Sequence, residues 1–219
     1  MMRRTAWWMV AVCVVLLAVS ASAQFRMEMP GPRGVWAPKV GAGAVYQVEG
    51  KRMGKMKMEM AVVGEEQFQG KPGHWLETYA ETERGEMVSK MLLVKDGDKV
   101  EPKRMIVQPP GMDDPIEFDP NAMPQGRPPA QKADIKDDAE LVGTETITVP
   151  AGTFTCQHYK LKDNGGDVWV ATDVTPYGMV RMTSPDMTMT LVKVLSNAKT
   201  RIHGTPRKFD PAEMMRQRP

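Results

Sequence analysis

Three features of this chain predict an all-β fold, a curved antiparallel sheet or open half-barrel of about ten strands. The segment Lys55-Met56-Lys57-Met58-Glu59-Met60-Ala61-Val62 alternates, with Met56, Met58, Met60 and Val62 pointing one way and Lys55, Lys57 and Glu59 the other. A helix would scatter those methionines around its girth, whereas a strand collects them on one face. Similar apolar runs recur at intervals of about ten to fourteen residues, separated by turn signals. No long stretch carries the helical period of about 3.6 residues.

The elements follow in chain order. Arg3 and Arg4 precede an apolar run over 5–19 that ends in Ser20-Ala21-Ser22-Ala23. Such a run of about 15 residues falls short of the ~20 that span a bilayer, and its small-residue end suits a signal peptidase. Residues 1–23 are therefore expected to be a secretory signal cut between Ala23 and Gln24. The mature chain is expected in the periplasm or the medium, not spanning a membrane. Residues 24–40, rich in Pro and Gly, read as an irregular lead-in, with Trp36 docking it onto the body.

A single antiparallel β domain is expected over 41–200. Its strand candidates are 44–49, 55–62, 75–83, 87–95 and 100–107, then 141–149, 154–162, 168–172, 179–183 and 187–195. Asp96-Gly97, Pro150-Ala151-Gly152 and Asn164-Gly165-Gly166 mark hairpins, because Gly supplies φ > 0 and Pro fixes φ. Threonines 144, 146, 148, 153 and 155 suit a solvated pleated face. Within this domain, 109–131 holds seven prolines together with Asp113, Asp114, Glu117 and Asp119. A central strand does not hold that many prolines, so this segment reads as a long loop, either a lid or disordered. Residues 201–219 are basic and irregular. Asp210-Pro211-Ala212-Glu213 looks like a helix start, but too few residues follow for a stable helix, and a disordered tail is expected.

Composition narrows the function classes. The chain carries 29 basic and 27 acidic residues, and the signal would take two arginines with it. A mature charge near zero argues against a nucleic-acid partner. Cys13 lies inside the apolar run, where Val12 precedes it and mostly large residues follow, which is the wrong place for lipidation. Cys156 would then be the lone cysteine, so no internal disulfide is expected and a small buried hydrophobe is the natural role. His74, His158 and His203 are far apart, and no Gly-x-Ser-x-Gly elbow, phosphate-binding glycine loop or Cys pair is present. The sequence is read as non-catalytic and without a cofactor.

The methionines admit three readings. Met-x-Met spacing at Met56, Met58 and Met60 is a candidate Cu(I) set, because soft thioethers suit a soft ion. Strand alternation alone also places those residues in a core, where Met is a common gap-filler. The third reading is a ligand face of Met56, Met58, Met60, Val62, Met187 and Met189 that holds a lipid or other hydrophobic molecule. An envelope protein is the other partner class, and a structural envelope component is a further alternative. The basic groups Lys51, Arg52, Lys55 and Lys57, and Lys199, Arg201, Arg207 and Lys208, read as solvated faces or edge protection.

One segment carries a family resemblance. Residues 143–160, with their Val-Pro-Ala-Gly-Thr-Phe turn, are followed by Asp167-Val-Trp-Val170 and Thr175-Pro-Tyr-Gly-Met-Val-Arg181. Over about 140–196 this resembles uncharacterised exported bacterial proteins related to the periplasmic lipoprotein-carrier fold. The resemblance implies an open antiparallel half-barrel around an apolar cavity. The carriers plug that barrel with helices, for which this sequence has no counterpart, and it transfers no individual ligand-binding residue.

Overall fold

The computed structural model describes residues 33–51, 54–82, 85–111, 114–120, 130–163 and 165–210. The signal with its Ala23/Gln24 cleavage site, most of the lead-in, residues 121–129 and residues 211–219 lie outside the described residues.

Strands occupy each sequence-predicted place. They are β1 Gly43–Gly50, β2 Gly54–Phe68, β3 Lys71–Thr82, β4 Gly85–Asp96, β5 Lys99–Gln108, β8 Ala139–Val149, β9 Gly152–Leu161, β10 Asp167–Val170, β11 Met179–Thr183 and β12 Met187–Leu195. Three short strands join them: β6 Ile116–Phe118, β7 Gln131–Lys132 and β13 Arg207–Lys208. All lie in one open sheet ordered β13-β6-β5-β4-β3-β2-β1-β12-β11-β10-β9-β8, with β7 paired to β5. Pairing is antiparallel except between β13 and β6. Gly97 (φ 61°), Gly152 (φ 136°) and Gly165 (φ 67°) serve the three predicted hairpins.

Register assigns the two faces. Across β1 and β2, Met56 lies opposite Val48, Met58 opposite Tyr46 and Met60 opposite Ala44. The same row continues through Val48–Met189, Met189–Met182, Met182–Val168 and Val168–Tyr159 to Leu141. Tyr46, Val48, Met182, Val168, Tyr159 and Met189 are all buried. We call this side the methionine face. Tyr46 can be buried there because its hydroxyl donates to the Met179 carbonyl at 2.9 Å.

At the β3 end of that face the lead-in docks. Val35 N–H donates to the Tyr177 carbonyl, Trp36 N–H to that of Ala133 and Ala37 N–H to that of Pro176, at 2.7–2.9 Å. The Trp36 ring packs on Tyr177 at 4.9 Å and meets His74 edge-on at 6.4 Å. Gly34 is required by close approach, since a Cβ there would overlap the Tyr177 carbonyl oxygen.

The opposite face is covered only in part. In β2 a bulge at Val63, between the Val62–Leu76 and Gly64–Trp75 pairs, shifts the alternation and brings Glu66 to the Trp75 side. There Trp75, Val88, Leu92, Ile106 and Ile202 form a second apolar cluster, with Val63, Phe68 and Tyr79 against it.

Two expectations are corrected. The tail is not disordered from 201. Ile202 is buried, and β13 pairs with β6, so 200–210 packs against the sheet. The proline-rich segment also contributes a strand. Residues 116–118 are free of proline between Pro115 and Pro120, and three residues are enough to extend β5 at an edge.

Candidate functional site

Of the proposed ligand-face residues, Met58, Met60, Val62, Met187 and Met189 are buried and Met56 is half-buried. Lys55 and Lys57 are exposed on the other side, as alternation requires. The strand therefore brings Met56, Met58 and Met60 to one face, and register adds Met187 and Met189 through β1. The cross-strand partners of Met56, Met58 and Met60 are Val48, Tyr46, Ala44, Ala80 and Thr78, none of which offers a thioether or an imidazole, while Met189 lies opposite Met182. The methionine row is deeply covered in its middle and opens at its ends, at half-buried Met56 and at Leu141, which is 59% exposed.

A polar cluster lies on the opposite face of β8–β11. His158 Nε2 is 2.8 Å from Asp167 Oδ1. Nδ1 lies 2.5 Å from Glu145 Oε1 but off the axis that a hydrogen bond needs, so it has no aligned partner. The imidazole stacks on Trp169 at 4.5 Å and 12°, with the Arg181 guanidinium 6.0 Å from the same indole. Two carboxylates, an imidazole and a guanidinium meet here around the indole of Trp169. Sequence inspection missed this cluster because its members come from four strands. The signal available was the cross-strand row His158–Trp169–Arg181, visible only once register is known.

Cys156 is fully buried. Burial, with Asp173 and Glu145 nearby, pushes its thiol up to about 11, so it is a packing residue and not a nucleophile at neutral pH. Among the basic groups, Lys51 pairs with Asp186, Lys55 with Glu49 and Arg201 with Glu59, which fits charge-balanced surfaces. Among the described residues, no group of three or more His, Cys, Asp or Glu side chains is placed to hold a metal, and no helix is long and apolar enough to cross a membrane.

Comparison with solved structures finds two similar bacterial proteins. A protein of Parabacteroides distasonis ATCC 8503, described as a candidate lipoprotein, is similar at 16% identity and a TM-score of 0.36, over 74% of this chain and 99% of its own. A candidate exported protein of Bacteroides fragilis NCTC 9343 with a YmcC-like fold is similar at 14% identity and a TM-score of 0.35, over the same shares of the two chains. No family model and no curated protein matches the sequence.

Proposed function

We propose that the chain is an exported, non-catalytic β-protein whose sheet curves as a half-barrel and holds an apolar ligand, a lipid or similar molecule, against its methionine face. The observation that carries this reading is the row Met56–Val48–Met189–Met182–Val168–Tyr159–Leu141, apolar across seven strands and open at both ends. Thioether side chains adapt to ligands of variable shape, and a contiguous apolar row that runs from half-buried Met56 to exposed Leu141 suits acyl chains better than a polar substrate.

The test is native mass spectrometry of protein purified from its own envelope, followed by uptake of a fluorescent acyl probe after delipidation. A bound lipid, with uptake reduced about tenfold in Met56→Glu, supports the reading. A ligand-free protein that takes up no probe overturns it. Export is checked by the N-terminal mass: Gln24 or its pyroglutamate is expected, and a chain that keeps the apolar run refutes the signal.

A further inference from the structure

The segment after β12 crosses the opposite face of β2–β5 and is held there as a ligand is held. Glu77 is the buried carboxylate of that face, only 4% exposed. Its Oε2 accepts from Thr200 Oγ1 at 2.5 Å and its Oε1 from the Arg201 backbone N–H at 2.8 Å. The Arg201 side chain donates to Glu59 Oε2 at 2.9 Å and lies 4.2 Å from the Tyr79 ring. Ile202 enters the cluster of Trp75, Val88, Leu92 and Ile106. His203 N–H donates to Gln108 Oε1 at 3.2 Å. Arg207 N–H then donates to the Pro115 carbonyl and Phe209 N–H to that of Glu117, as in parallel strand addition, with the Phe209 ring 4.8 Å from Phe118.

Main chain is gripped by Glu77, Gln108 and β6, while side chains are read at a cation site, an aliphatic site and an aromatic site. That division of labour is how sheets recognise extended peptides. Charge is complementary too. The face beneath carries Glu59, Glu77, Glu81 and Glu86, with Lys55, paired to Glu49, and Lys57 toward its β1 side, while the segment carries Lys199, Arg201, Arg207 and Lys208. Lys90 and Arg104 of the same face lie over Trp75, and Arg104 is already bound by Glu66 and Glu117. Beside Thr200, Arg201 and His203 a cleft of about 470 Å³ remains, walled by Glu86, Val88 and Pro110. The surface therefore has room for more than its own segment fills.

We propose that this surface docks an extended basic peptide, with a cation followed directly by an aliphatic residue and an aromatic ring further on. In this structure residues 199–209 occupy it in cis.

The test uses the full chain and a fluorescent synthetic peptide of residues 198–210. The intact chain should bind it at least tenfold more weakly than Arg201→Glu/Ile202→Asp, whose own segment no longer competes. Adding Glu59→Gln to that variant should weaken binding again by about tenfold. Failure of the folded variant to bind, or equal binding by the intact chain, overturns the proposal. So does loss of the β circular-dichroism spectrum on release of the segment. A second measurement needs no variant: in the intact chain the Arg201 amide should exchange its hydrogen at least tenfold faster than the amide of Leu76. Exchange of Arg201 only through global unfolding would show that the segment is a fixed part of the core.

Discussion

The β2–β5 half of the sheet and the β8–β11 half use the same antiparallel ladder but bury different numbers of faces. In the first half both faces carry a covering layer, one the methionine core and the other, in part, the 200–209 segment. Its sequence runs apolar without alternation where this happens: Met60-Ala61-Val62 and Leu92-Leu93-Val94 are buried at every position. In the second half one face is wet. Thr144, Thr146, Thr153 and Thr155, which alternation puts on the side of Tyr159 and Leu141, are exposed, and β8, at one edge of the sheet, shows Leu141 and Val142 to solvent. A continuous apolar run in an antiparallel strand therefore reports a second covering layer, and alternation reports its absence.

The sharpest way to break that comparison is to charge a position with no wet side. Met58→Lys should cost about 4 kcal/mol or more through an unpaired buried charge, while Lys57→Met next to it should stay within about 0.5 kcal/mol. Similar urea midpoints for the two would refute the register. Next in size, Leu92→Ala should cost about 2–5 kcal/mol because both flanking layers close around it. Ile147→Ala, on the half with one wet face, should cost less than about 1.5 kcal/mol by the same denaturation assay. Equal losses would mean that the two halves are covered alike.

A smaller effect comes from the covering segment itself. Thr200→Val deprives buried Glu77 of one of its two donors, and a loss of about 1–3 kcal/mol is expected in thermal or urea unfolding. Alkaline pH acts on β1 and on the β8–β11 half. Burial raises Cys156 from 9.0 to about 11 and raises Tyr46 and Tyr177 as well, so the folded chain holds protons that the unfolded chain releases. The folded state thus keeps this contribution below pH 9 and loses it as pH climbs toward 11 and beyond. A pH series of unfolding midpoints should fall in that window, and Cys156→Ala should blunt its lower part. The smallest change is Thr146→Ala, which removes only a 3.4 Å contact to Thr155 on a wet face. It should shift stability by no more than about 0.5 kcal/mol.

Much of the fold was legible because strand pairing in this molecule is mostly local. Consecutive strands joined by Asp96-Gly97, Pro150-Ala151-Gly152 and Gly165-Gly166 announce themselves through turn chemistry and period, both of which act over a few residues. The same local logic placed Met56, Met58 and Met60 on one face and Lys57 on the other. What lay beyond reach was anything set by distant partners. The place of Thr200–Ile202 depends on Glu77 and Glu59, more than a hundred residues earlier in the chain. A basic, irregular stretch without a period gives no sign of such a dock. The unbroken runs at Met60-Ala61-Val62 and Leu92-Leu93-Val94 were the available hint that something covers that side.

By itself the sequence determined the all-β class, the positions of ten strands, the apolar identity of the methionine face and the solvated threonines, since each rests on side-chain alternation along one strand. Only the tertiary structure decided the strand order that joins Met56 to Leu141 in one row. It also decided the stacking of His158 on Trp169 and the anchoring of the C-terminal segment on Glu77. Those features depend on which strand lies beside which, and period two is the same whatever the neighbour.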